Sequence, residues 1–65
     1  MPVIRVEMYK GRTVEQKRAL VKELTGGFVR TCGSTPEQVT IIITDVEKSD
    51  WAAAGVLAVD TPPEK

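Results

Sequence analysis

The sequence predicts a small α/β (α+β) chain: one β-α-β protomer with a short C-terminal β element, completed by oligomerisation. Three stretches predict it. Val3 to Tyr9 alternates apolar and charged residues, Leu20 to Cys32 repeats apolar residues at spacings of three and four, and Val39 to Asp45 is a β-branched run.

In the first stretch Ile4, Val6 and Met8 fall on one face, with Arg5 and Glu7 on the other, the period of a strand. Lys10-Gly11-Arg12 turns the chain. Thr13-Val14-Glu15-Gln16 then matches a capping box in which Thr13 caps a helix and Gln16 reaches back to it. The helix carries Leu20, Val21, Leu24, Phe28 and Cys32 as one apolar stripe and is expected to end at Gly33, a residue suited to a left-handed C-terminal position. Gly26 and Gly27 inside it each cost roughly 1 kcal/mol relative to Ala, which points to close packing or a bend.

Ser34 to Gln38 leaves room for a short turn with Pro36 at its first helical position. In the following strand Val39, Ile41 and Ile43 oppose Thr40, Ile42 and Thr44, and the isoleucine run suggests burial on both faces. Trp51 to Val59, small and apolar around Gly55, suits a short hairpin or an extended arm. Residues 60–65, with Pro62-Pro63, are expected to form a loose tail of this single domain. A helix of this length between two strands implies a right-handed parallel βαβ unit.

A chain of 65 residues lies near the lower size limit for a self-supporting core. Cys32 is the only cysteine, so no disulfide can staple the fold, and it reads as a small buried residue in a reducing compartment. With no His and one Cys a structural zinc site is excluded, and nothing points to a metal or another cofactor. One helix covers only one face of a two-stranded sheet, which leaves an apolar face and unpaired edges for copies of the same chain to cover. The expected partner is therefore the chain itself.

Nine basic and nine acidic residues give no net charge, against nucleic acid or an anionic membrane as a partner. No apolar stretch approaches a membrane span, and Arg5, Glu7 and Lys10 interrupt any secretory start, so the expected location is the cytoplasm.

Without His, the usual base at neutral pH and every Ser-His or Cys-His nucleophile are missing. Pro2 is the alternative. Removal of Met1 would leave a secondary amine at the N-terminus. An α-amine has a reference pKa of roughly 7.7 to 8.0, lowered further in an apolar site near cations, and so acts as a general base. Taken alone, Pro2 reads more readily as an ordinary second residue than as a base. Retention of Met1 would make its nitrogen an amide without a basic lone pair.

Pro2 ahead of an apolar strand, the run Gly11-Arg12-Thr13-Val14-Glu15-Gln16-Lys17 opening a helix, an Ile-Ile-Ile-Thr second strand and Trp51 before small residues and Gly55 together resemble the 4-oxalocrotonate tautomerase family. The resemblance runs from Pro2 to about Leu57. It implies a tautomerase-like fold, a dimer that usually goes on to a hexamer, and proton transfer between enol and keto forms of small unsaturated 2-hydroxy and 2-keto acids. By the same resemblance Pro2 is the catalytic amine, Arg12 binds a substrate carboxylate and steadies developing charge, and Trp51 walls the pocket. From the residues alone, Arg12 also reads as a solvated turn cation and Trp51 as interface packing.

The chain departs from that pattern at Thr40, where members specialised for dicarboxylates carry a second arginine. Thr40 offers a hydroxyl, and Arg5 or Arg30 of a neighbouring copy are alternative cations. A hydratase or dehalogenase of the same superfamily would need a carboxylate at the position of Ala53, or at Glu47 or Asp50. An inactive assembly module is the reading from another class, and intact-mass analysis of the N-terminus separates it from the enzyme.

Overall fold

The computed structural model describes residues 1–62. Its elements are strand β1 (Val3–Tyr9), helix α1 (Val14–Cys32), strand β2 (Thr40–Val46) and the two-residue strands β3 (Ala52–Ala53) and β4 (Val56–Leu57). Single 3₁₀ turns occupy Pro36–Gln38, Lys48–Asp50 and Ala58–Asp60.

Strands β1 and β2 pair in parallel, from Val3 opposite Thr40 to Tyr9 opposite Val46. Residues opposite one another in this register share a face. Ile4, Val6 and Met8 therefore lie with Ile41, Ile43 and Asp45 on the inner face. Val3, Arg5, Glu7 and Tyr9 lie with Thr40, Ile42, Thr44 and Val46 on the outer one. The alternation of half-buried and exposed residues along β1 shows that only the inner face is covered.

Both ends of α1 are set by local chemistry. Thr13 Oγ1 accepts the Gln16 N–H at 3.1 Å, and Gln16 Oε1 accepts the Thr13 N–H at 2.9 Å, the reciprocal box expected from the sequence. At the other end Gly33 adopts φ 76°, and its N–H bonds the Val29 carbonyl. The helix continues through Gly26 and Gly27. A Cβ at Gly26 would stand 3.2 Å from Arg30 Nη1, so the glycine makes room for a guanidinium folded back from the next turn.

One expectation is corrected. Cys32 is exposed, in the last turn of α1, with its Sγ 3.6 Å from Thr31 Oγ1. Within the chain the isoleucine run is covered on one face only: Ile42 points outward and is 41 % exposed, the apolar face expected to be left for other copies.

The C-terminal segment is a hairpin: β3 pairs antiparallel with β4, Ala52 opposite Leu57 and Ala53 opposite Val56. Its two-residue turn, Ala54-Gly55, has positive φ at both positions (54° and 78°), the backbone twist that joins two strands tightly. Asp60 closes the last 3₁₀ turn, and Thr61 Oγ1 donates to the Leu57 carbonyl at 3.0 Å. Of the expected loose tail, residues 63–65 lie outside the described residues.

Among the described residues none is buried. The chain exposes 5305 Å², against the roughly 4100 Å² expected of a compact folded chain of its mass. Val3, Ile42 and Tyr9 on the outer sheet face, and Val56, Leu57 and Val59 on the arm, are each more than a third exposed. Full burial of such side chains is worth about 1.5–3 kcal/mol each, and a second copy is the available means of burying them. Sedimentation at micromolar concentration is expected to show an oligomer, and a folded, stable monomer would contradict this account of the core.

Candidate active site

Pro2 precedes β1 and lacks an N–H, so only its carbonyl joins the ladder. It accepts the Thr40 N–H at 3.0 Å. This bond fixes Pro2 and Thr40 side by side at the end of the sheet where both strands begin. Pro2 is half-buried there and Thr40 exposed, with its side chain on the outer face.

Arg12 sits beyond the opposite end. Six steps of about 3.3 Å along the strand separate Val3 from Tyr9 by roughly 20 Å. Two devices place Arg12 after that strand. Gly11, at φ 129°, takes a conformation that side chains rarely adopt, and the capping box pins Thr13 on the other side. Arg12 lines a concavity of about 180 Å³ together with Met8, Gln16, Lys17 and Leu20. Its floor is apolar, and it lies at the first turns of a 19-residue helix, whose dipole adds partial positive charge. Arg12 makes no ion pair among the described residues, whereas Lys17 Nζ stands 2.6 Å from Asp45 Oδ2.

Trp51 belongs to the same end of the sheet. Its ring meets Tyr9 edge-on, with centroids 4.8 Å apart and planes at 65°, a favourable aromatic geometry. Lys48 Nζ lies 5.6 Å from the centre of the Tyr9 ring. The Trp51 carbonyl accepts the Ala58 N–H at 2.6 Å, closing the hairpin behind it. Lys10 Nζ holds Glu47 at 3.0 Å, and this hydrogen bond together with the Glu47 charge raises the Lys10 pKa above the usual lysine value.

Within one chain the sequence-predicted residues thus form two groups: Pro2 with Thr40 at one end of the sheet, Arg12 and Trp51 at the other. Arg5 lies on the outer face opposite Ile42, and Arg30 lies against Gly26 and Gly27. Of the carboxylate positions considered for hydration, Ala53 lies in the hairpin, Glu47 is engaged by Lys10, and Asp50 ends a 3₁₀ turn.

Sequence reasoning missed Tyr9, Lys17 and Asp45. Signals for them existed. Tyr9 is the last outward position of β1, and Lys17 and Asp45 are single opposite charges interrupting the apolar stripe of the helix and the inner face of β2.

Comparison with known proteins agrees with this architecture. The sequence pattern of the family described as "Tautomerase enzyme" matches residues 2–61. The chain is 43 % identical over 65 aligned positions to the probable tautomerase RSp0893 of Ralstonia nicotianae, covering 97 % of this chain and 93 % of that protein. It is 40 % identical over 55 positions to the 2-hydroxymuconate tautomerase of Bacillus subtilis, covering 85 % and 89 %. Among solved structures, a 4-oxalocrotonate tautomerase homologue (TTHB242) superposes with a TM-score of 0.84 at 40 % identity, covering 97 % of this chain and all of that one. YwhB, another homologue of that enzyme, gives 0.89 at 36 % identity, covering 94 % of this chain and all of its own. A β-α-β fold shared with these enzymes, a sequence pattern spanning nearly the whole chain and identities of 36–43 % lead to one conclusion: the chain belongs to the tautomerase family and is an isomerase of the 4-oxalocrotonate tautomerase type.

Proposed function

We propose that the chain, as one domain with Met1 removed, is a cytoplasmic hexamer, a trimer of dimers, that interconverts enol and keto forms of small unsaturated 2-hydroxy and 2-keto acids. In ketonisation the Pro2 amine takes the proton of the 2-hydroxyl group, the electrons move along the unsaturated chain, and the protonated amine returns a proton to the distal carbon. One O–H bond is lost and one C–H bond is formed, with no change in composition. Negative charge develops on the conjugated acid between the two steps. Arg12 binds the carboxylate with its forked donors and steadies that charge. Trp51 and its edge-on partner Tyr9 wall the site and keep the amine poorly hydrated, and Thr40 offers a hydroxyl beside Pro2.

One observation carries this reading: Pro2 precedes β1 and Arg12 follows it, at opposite ends of a strand roughly 20 Å long, too far apart to act on one small acid within a chain. Their joint action requires the Pro2 end of one copy to meet the Arg12 end of another. The outer face with Val3, Tyr9 and Ile42, uncovered in the single chain, is surface that such an assembly would bury.

Complementation tests it. A chain with an uncleaved N-terminal extension keeps Arg12 but has no free Pro2 amine, whereas Arg12→Ala keeps the amine but not the cation. Refolded together in equal amounts, two impaired chains are expected to form about a quarter of their sites from an intact Pro2 and an intact Arg12, with activity recovered in proportion. No recovery in demonstrably mixed oligomers would place both residues in one chain's site and overturn the reading.

A further inference from the structure

We infer that the Lys17–Asp45 pair sets the charge of the Arg12 cleft, and that Asp45 is a specificity-determining residue that keeps the enzyme on enols bearing one carboxylate. The inference rests on the proposed role of Arg12 and adds to it a residue that neither touches the substrate nor lines the cleft.

Two cations line the concavity, Arg12 and Lys17, with the neutral residues Met8, Gln16 and Leu20. Left to themselves they would offer two positive charges and attract a dianion. Asp45 cancels one of them. Its Oδ2 lies 2.6 Å from Lys17 Nζ, and the two side chains are 36 % and 27 % exposed, so water screens the pair less than it screens a surface ion pair. Asp45 stands opposite Met8 in the sheet register, one strand away from the cleft floor, and is not among the lining residues. Its charge therefore reaches the cleft while its shape does not.

Lys10, which the Asp45 charge also reaches, is held by Glu47 at 3.0 Å and so does not draw on Asp45 alone. Glu15 and Arg18, on the first turns of α1, pair with each other. The Gln16 side-chain oxygen is engaged by the Thr13 N–H. Among the described residues the cleft thus presents one uncompensated cation, Arg12, which suits one carboxylate. At the Pro2 end the neighbouring side chain is the neutral Thr40, so a second carboxylate would find no cation on that residue either.

The test uses the processed oligomer and two enols that differ by one carboxylate, 2-hydroxypenta-2,4-dienoate and 2-hydroxymuconate. Asp45→Asn removes the cancelling charge without reshaping the cleft. It is expected to raise the kcat/KM ratio of the dicarboxylate over the monocarboxylate about fivefold, mainly through KM, an effect that added salt diminishes. Lys17→Met leaves the Asp45 charge beside Arg12 and is expected to raise KM for both acids, more for the dicarboxylate. Joining Lys17→Met to Asp45→Asn restores a single net charge and should return the ratio to within about twofold of the parent. A purely structural brace behaves otherwise: the double variant would be as impaired as Lys17→Met, and that result overturns the inference. So does an unchanged ratio in Asp45→Asn. Should Asp45→Asn alone fail to assemble, comparing the double variant with Lys17→Met still separates charge from bracing. Full activity in Arg12→Ala would instead defeat the underlying role of Arg12, whereas a large loss there with an unchanged Asp45→Asn ratio defeats only the charge argument.

Discussion

Arg12→Ala is expected to lower kcat/KM on carboxylated enols by about 10² to 10³, the scale of losing a preorganised charge donor at developing negative charge. Both KM and kcat should suffer, because the same guanidinium anchors the carboxylate in the ground state and meets added charge as the enol proton leaves. The fold should survive. Arg12 is exposed, makes no ion pair among the described residues, and its turn is held by Gly11 and by the Thr13 and Gln16 side chains rather than by its own. Arg12→Lys retains the charge without the fork and should recover only part of the loss. Steady-state kinetics on 2-hydroxypenta-2,4-dienoate, with sedimentation confirming assembly, checks this. Full activity in an intact Arg12→Ala oligomer would show that the cleft is not the carboxylate site.

The sequence was most legible where structure is set by neighbours along the chain. The bounds of β1 follow from strict alternation, and those of α1 from Thr13, Gln16 and Gly33, whose roles are fulfilled within a few residues. It was less legible where an outcome depends on what lies across the fold. Ile42 and Ile43 are alike in sequence, and only the pairing register and the single covering helix leave Ile42 outside. Cys32 continues the helix stripe but is exposed in the last residue of the helix, so the periodicity that marks it as core is misleading there.

The candidate site divides in the same way. Pro2 and Arg12 could be named from local pattern and family resemblance. That they stand at opposite ends of a parallel sheet becomes evident once β1 and β2 are in register, and this separation turns an assembly argued from uncovered apolar surface into a requirement of the proposed chemistry. Lys17 and Asp45, 28 residues apart, are joined only by packing of the helix on the sheet. Tyr9 and Trp51 likewise meet across the turn that follows β2.

A free Pro2 amine acting as the base is tested by comparing two forms of one chain at matched oligomer content: the processed protein, beginning at Pro2, and the same protein with Met1 retained or Pro2 acetylated. Intact mass establishes which form is present. Blocking converts the amine to an amide, which has no basic lone pair, while Arg12, Trp51 and Thr40 stay in the chain. General-base catalysis contributes about 10²- to 10⁴-fold, so the blocked form is expected to lose ketonisation by about 10³-fold while sedimenting as the processed form does. Pro2→Ala leaves a primary amine that can still accept a proton and is therefore the weaker test. Equal rates for the blocked and processed oligomers would contradict that role and remove Pro2 from the mechanism.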